Sequence, residues 1–146
     1  MAKSTPPLTL ENLRGWVDRM PFNRLLGIRV TKLHSDGVTI ECKMRDELRN
    51  LAGLLHGGVT ATMADAAVGI AIASHFRGSR RTTTVELKIN YLRPIAEGKT
   101  TARARLLRVG AHLCVGRVDI FDNSRNLAAT AIVTYILLEG EPLLAS

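Results

Sequence analysis

The stretch "LLHGGVTATMADAAVGIA", residues 54–71, limits what this chain can fold into more than any other segment. It is small and apolar almost throughout, the composition of a helix covered on most sides rather than of an amphipathic surface helix. Yet it opens with His56-Gly57-Gly58 and carries one carboxylate, Asp65. An unpaired buried carboxylate is costly, so any fold built round this helix has to account for the acid. Residues 54–74 come close to the roughly 20 needed to cross a bilayer. However, the segment holds His56, glycines, threonines and Asp65, and a central carboxylate costs about 3 kcal/mol on insertion scales. The segment therefore reads as a core helix over 57–75, with no membrane span.

What wraps the helix is legible downstream and upstream. "GIRVTKLH" and "GVTIECKM" read as strands joined by Ser35-Asp36-Gly37. After "RGSRR" come four more strand-like runs, "TTTVELKINYLR", "KTTARARLLRV", "HLCVGRVDIFD" and "LAATAIVTYILLE", linked by "PIAEG", "GA" and "NSRN". Val85, Leu87, Ile89 and Tyr91 alternate with period 2, as do Ala102, Ala104 and Leu106 against Thr101, Arg103 and Arg105. Residues 1–20 form an N-terminal helical segment. Within it Leu10, Leu13, Trp16, Val17 and Met20 fall at helical spacing, Thr9 is placed to cap, and Pro21 ends the helix. Residues 46–56 read as a loop. The plan is α+β: a curved antiparallel sheet of about six strands around a long central helix. One sheet cannot cover a helix that is apolar nearly all round, so the remaining side calls for a second subunit.

At 146 residues the chain suits one domain, 1–146, and its 4% aromatic content makes the core aliphatic. The N-terminus lacks a basic start followed by an apolar run, which argues against a signal peptide. Cys42 and Cys114 are far apart and carry no motif, which suits a reducing cytoplasm. The net charge of +7 asks for an anionic partner, either nucleic acid or a phosphorylated small molecule. Nine of the 20 basic residues lie in 77–108, as a binding face or merely a solvated strand face. Little aromatic interleaving and no nucleic-acid-binding motif leave nucleic acid disfavoured. His34, His56, His75 and His112 show no zinc spacing, so no metal is expected. There is no Gly-x-Ser-x-Gly elbow and no phosphate loop, which disfavours a serine hydrolase and NTP use.

Two features of the opening stretch carry chemistry. The first amides of a helix lack intrahelical acceptors and sit at its positive end, so Gly57-Gly58 offers a site for an anion or a polarised carbonyl oxygen. The plain alternative is a flexible loop-to-helix joint. Asp65 is either functional or simply bonded to a backbone amide or a threonine. Eight residues separate Gly57 from Asp65, about 12 Å along a helix. One small reacting centre cannot easily touch both in one chain. Two such helices, antiparallel across a two-fold axis, would bring one chain's Asp65 near the other's Gly57.

The pattern Asn50-x5-His56-Gly57-Gly58-x6-Asp65, with "FNRLLGIRV", "INYLRP" and the last strand "ATAIVTYIL", resembles the hotdog-fold acyl-CoA thioesterases of the PaaI type. The resemblance covers nearly the whole chain from about residue 20. It implies a hotdog fold, a homodimer with composite sites, often paired into a homotetramer, and an acyl-CoA substrate with no separate cofactor. It gives Asp65 the role of general base or nucleophile, and Gly57 that of the amide polarising the thioester carbonyl, with Gly58 beside it. Asn50 would bind near that carbonyl or the attacking water. His56 would position, and Thr84, one of three consecutive threonines, would orient water. Arg80, Arg81, Arg93, Arg108 and His112, at strand ends, are candidates for the coenzyme A phosphates. Leu54, Leu55, Met63, Val68 and Ile72 are candidate walls of the acyl pocket. The competing readings are a non-catalytic acyl-CoA binder on the same fold and a hotdog hydratase or dehydratase. The spacing from the glycines to Asp65 speaks against the latter.

Overall fold

A computed structural model describes residues 8–141. The first seven residues of the expected N-terminal helical segment lie outside them. Helix α1 spans Leu10–Asp18 and is capped by Thr9, whose hydroxyl accepts from the Asn12 amide while Asn12 answers with its own side chain. Pro21 does more than end α1. Its fixed φ suits a first helical position, and it opens a second short helix, α2 (Pro21–Leu26), closed by Gly27 at φ 72°. That left-handed cap then turns the chain into the sheet.

The strands are β1 (Arg29–His34), β2 (Gly37–Lys43), β3 (Arg81–Tyr91), β4 (Lys99–Val109), β5 (Leu113–Phe121) and β6 (Leu127–Leu138). All pairings are antiparallel, in the order β1-β2-β4-β5-β6-β3. The long helix α3 (Gly57–His75) crosses one face of this sheet and packs against β2, β3, β4, β5 and β6. It is long and apolar enough to cross a membrane by length and composition, yet half of it is buried within the fold.

Small side chains let the helix sit close. Ala102, Ala104, Ala129 and Ala131 present methyl groups toward α3 and are buried. Gly116 goes further: a Cβ there would stand 2.7 Å from Val68 Cγ2, so the β-branched side chain occupies the room the glycine leaves. Met63, Val68, Ile70 and Ile72 then complete an aliphatic core with Val38, Ile40, Val118 and Ile120. Each such side chain contributes roughly 1.5–3 kcal/mol by leaving water.

The period-2 reading of β3 needs one correction. Thr84 lies opposite Tyr135, but the next regular partners are Glu86 with Thr134, because a bulge intervenes at Val85. The bulge changes which parity faces the helix: Thr82 and Thr84 before it, Leu87, Ile89 and Tyr91 after it. Val85 is 53% exposed and does not belong to the inner set.

On the opposite sheet face Arg103 pairs with Asp36, Arg105 and Arg117 with Asp119, and Lys99 with Glu41. Of these cations Lys99, Arg103 and Arg105 belong to the 77–108 cluster, and they sit on a cross-paired strand face, the plainer of the two readings.

Candidate functional site

Asp65 is not in the core. It lies half-buried on the stripe of α3 that the sheet leaves uncovered, with Thr62, Ala66, Gly69 and Ala73. Its Oδ1 accepts two hydrogen bonds, from the Thr84 hydroxyl at 2.8 Å and from the Tyr135 hydroxyl at 2.9 Å. The Tyr135 oxygen is also 2.9 Å from the Asp65 backbone carbonyl. Burial pushes the Tyr135 phenol well above its ordinary range, and the neighbouring carboxylate reinforces the shift, so it stays a donor. The other carboxylate oxygen has no partner among the described residues. Asp65 lines a cleft of about 530 Å³ walled by Met20, Phe22, Ala66, Gly69 and Ile70, with Arg19, Arg80 and Arg81 also lining it. Asp65 is the one carboxylate among the described lining residues.

The N-terminus of α3 forms a second hollow. His56 is its N-cap: Nδ1 accepts from the Gly58 amide at 2.9 Å, which leaves the ring proton on Nε2 when the imidazole is neutral. That bond takes Gly58 out of play, whereas the Gly57 N–H has no acceptor among the described residues. Tyr91 donates to the Gly57 carbonyl at 2.7 Å and stacks its ring edge where a Cβ on Gly57 would reach 3.3 Å. Asn50 uses its side-chain oxygen to accept from the Ala52 and Leu54 amides, at 2.9 and 3.1 Å, so its NH₂ is the group left for a ligand. Asn50, Leu54, Leu55, Gly57, Tyr91 and Arg93 line a common hollow of about 350 Å³.

The two hollows share no lining residue. In a single chain Asn50, Gly57, Leu54 and Arg93 are together, and Asp65, Thr84, Arg80 and Arg81 are together, but the two groups are apart. Arg108 and His112 lie exposed at the β4–β5 turn. Met63, Val68 and Ile72, expected as pocket walls, are completely buried against the sheet. They fall on the inward stripe of a helix whose residue types are alike on all sides, so composition could not assign the face. Leu54 and Leu55 do line the Gly57 hollow. Sequence reasoning missed Tyr135 and Tyr91. A signal existed for Tyr135: a lone tyrosine at an inward position of an apolar strand has a hydroxyl that must find a partner. Among the described residues no three His, Cys, Asp or Glu side chains are grouped to hold a metal.

A curved six-stranded antiparallel sheet laid over one long apolar helix, with chemistry at the helix start and on its open stripe, is the hotdog architecture. The family model described as "Thioesterase superfamily" matches residues 52–129. The medium/long-chain acyl-CoA thioesterase YigI of Escherichia coli K12 is 31% identical over 137 residues, covering 84% of this chain and 88% of that protein. The crystal structure of a Haemophilus influenzae thioesterase superposes with a TM-score of 0.84 at 25% identity, over 92% of this chain and 93% of that one. The E. coli PaaI protein shares the fold, with a TM-score of 0.81 at 20% identity, over 90% of this chain and 94% of that one. The chain belongs to the thioesterase superfamily and is a thioester hydrolase.

Proposed function

We propose that the protein hydrolyses the thioester of an acyl-CoA to the free acid and coenzyme A, in a homodimer whose active sites are shared between chains. Asp65 of one protomer acts as general base or nucleophile, and the Gly57 amide of the other polarises the thioester carbonyl and receives the developing oxyanion. The observation that carries this reading is the state of Asp65. One oxygen is pinned by two hydroxyls, the other has no partner among the described residues, and Asp65 lines an open, mostly apolar cleft. The Gly57 amide, which has no acceptor among the described residues, supplies the electrophilic half in a separate hollow.

Two features support the dimer. The open stripe of α3 is made of small residues, so a second helix can come close. Strand β3 ends the sheet with eleven residues that have no partner on their outer side among the described residues, an edge that a second copy can extend. A YigI-like preference for medium or long acyl chains fits the apolar cleft walls. Arg80, Arg81 and Arg93, which line the two hollows together with Arg19, are cations placed to meet the phosphates of coenzyme A. The test is release of free thiol from a panel of acyl-CoAs of graded chain length and aromaticity, with Asp65→Asn alongside. Silence on every substrate at high enzyme concentration would sink the acyl-CoA reading and leave a binder. Full activity in Asp65→Asn would remove the role given to Asp65. A monomer in sizing experiments that is still active would end the shared-site arrangement.

A further inference from the structure

The arrangement around Asp65 involves a residue that lies far outside the helix motif. The β3–β6 register sets Thr84 directly opposite Tyr135, and the bulge that follows at Val85 is what allows Thr84 to face inward ahead of Leu87 and Ile89. The two hydroxyls therefore converge on one oxygen of Asp65 rather than sharing the carboxylate between them. They differ in rigidity. Thr84 is exposed, on the edge strand. Tyr135 is 7% exposed, its ring held in the core. A phenol has a single proton, and of its two acceptors at 2.9 Å the carboxylate oxygen is a stronger acceptor than the backbone carbonyl.

Room for that phenol is made one turn along the helix. A Cβ on Gly69 would stand 2.7 Å from the Tyr135 hydroxyl oxygen and 3.2 Å from the ring carbon bearing it. Any side chain at 69 would push the hydroxyl out of place. Glycine in a helix interior costs about 1 kcal/mol relative to alanine, so its presence here gives up helix stability for space.

Building on the reading of Asp65 as the reacting carboxylate, we infer that Tyr135 is a positioning residue for thioester hydrolysis. Admitted by Gly69, its hydroxyl holds Asp65 by Oδ1 so that Oδ2 is the oxygen that meets the substrate carbon or its attacking water. The inference is the same for a base and for a nucleophile, since either needs one oriented oxygen.

The test uses the full chain with Tyr135→Phe, Gly69→Ala and Asp65→Asn. Each is assayed for kcat, KM and the pH–rate profile, with circular dichroism to confirm folding. Tyr135→Phe keeps the ring and removes the proton. The expected result is a kcat lower by about 10- to 100-fold, the range for a hydrogen bond to a charged group. KM should stay within about twofold, and the acid limb of the profile should move to higher pH as the carboxylate loses a donor. Gly69→Ala should reproduce the lower kcat and the shifted limb with the phenol still present. Because alanine raises helix propensity, that loss cannot come from a weakened helix. If Tyr135→Phe fails to fold, Gly69→Ala decides alone on the same readouts. Wild-type kcat and an unmoved acid limb in the folded variants would overturn the inference. So would a lower melting temperature with unchanged kcat, which is what a tie between helix and sheet would give. An inactive Asp65→Asn beside a fully active Tyr135→Phe ends this inference alone, whereas an active Asp65→Asn ends the underlying reading.

Discussion

Helix α3 has two faces that its sequence hardly distinguishes. The inward face carries Val59, Met63, Ala64, Ala67, Val68 and Ala71, pressed onto alanines and Gly116 of the sheet. The outward stripe carries Thr62, Asp65, Ala66, Gly69 and Ala73, and lines a cleft. Both are small and mostly apolar. On the first, small size lets strands and helix close on each other. On the second, it leaves space that the described residues do not fill. The same composition thus serves packing on one side and access on the other, and substitutions on the two faces should fail in different ways.

The sharpest separation is expected from Asp65→Asn. Thioester hydrolysis should fall by about 10²- to 10⁴-fold, with the midpoint of thermal unfolding nearly unchanged because the side chain is half-buried and keeps its two hydroxyl neighbours. A large loss of stability instead would mean that the acid belongs to the packing face after all. Met63→Ala tests the other side. It should cost about 2–5 kcal/mol in denaturant unfolding while the folded fraction keeps its kcat/KM. A variant of near-native stability with collapsed activity would move Met63 back to the cleft.

Tyr135 couples the two faces, and its pH dependence can be worked out. Burial raises its folded-state pKa above the ordinary phenol value of about 10. The folded chain then holds a proton that the unfolded chain has lost. Its contribution is complete below about pH 10 and declines above it, by up to about 1.4 kcal/mol per pH unit. Chemical denaturation between neutral pH and pH 11 should show this slope in the wild type and lose it in Tyr135→Phe. Equal slopes would place the phenol in contact with solvent. The smallest effect is expected on the far face of the sheet. Arg117→Ala, which breaks an ion pair with Asp119 at 3.0 Å on a half-exposed side chain, should change stability by less than about 1 kcal/mol and leave hydrolysis alone. A loss of activity there would show that the outer face takes part in substrate binding.

The strand segments and the central helix with its glycine-rich start were legible because each rests on local rules, whereas Asn50 and His56 were singled out only by the resemblance to a family pattern. Period-2 alternation marks strands, apolar continuity marks the core helix, and the helix start is set by a capping side chain and two glycines. What was not legible depended on neighbours distant in sequence. Pro21 looks like a stop signal in isolation, and only the path into β1 shows it starting α2. Val85 fits the alternation, and only the pairing with β6 displaces it into a bulge. Met63 and Val68 are as apolar as any pocket wall, and only the position of the sheet buries them.

The residue pattern by itself determined that this chain wraps an antiparallel sheet round an apolar helix and carries an acid and a glycine-rich helix start about 12 Å apart. It did so because hydrophobic period and helix rise are properties of consecutive residues. Tertiary structure alone decided which stripe of the helix faces outward, which hydroxyls hold Asp65, and that Asp65 and Gly57 open into separate hollows. Those outcomes follow from strand register and from the clearance left by Gly69 and Gly116, which are fixed only when residues far apart in the chain are packed against each other.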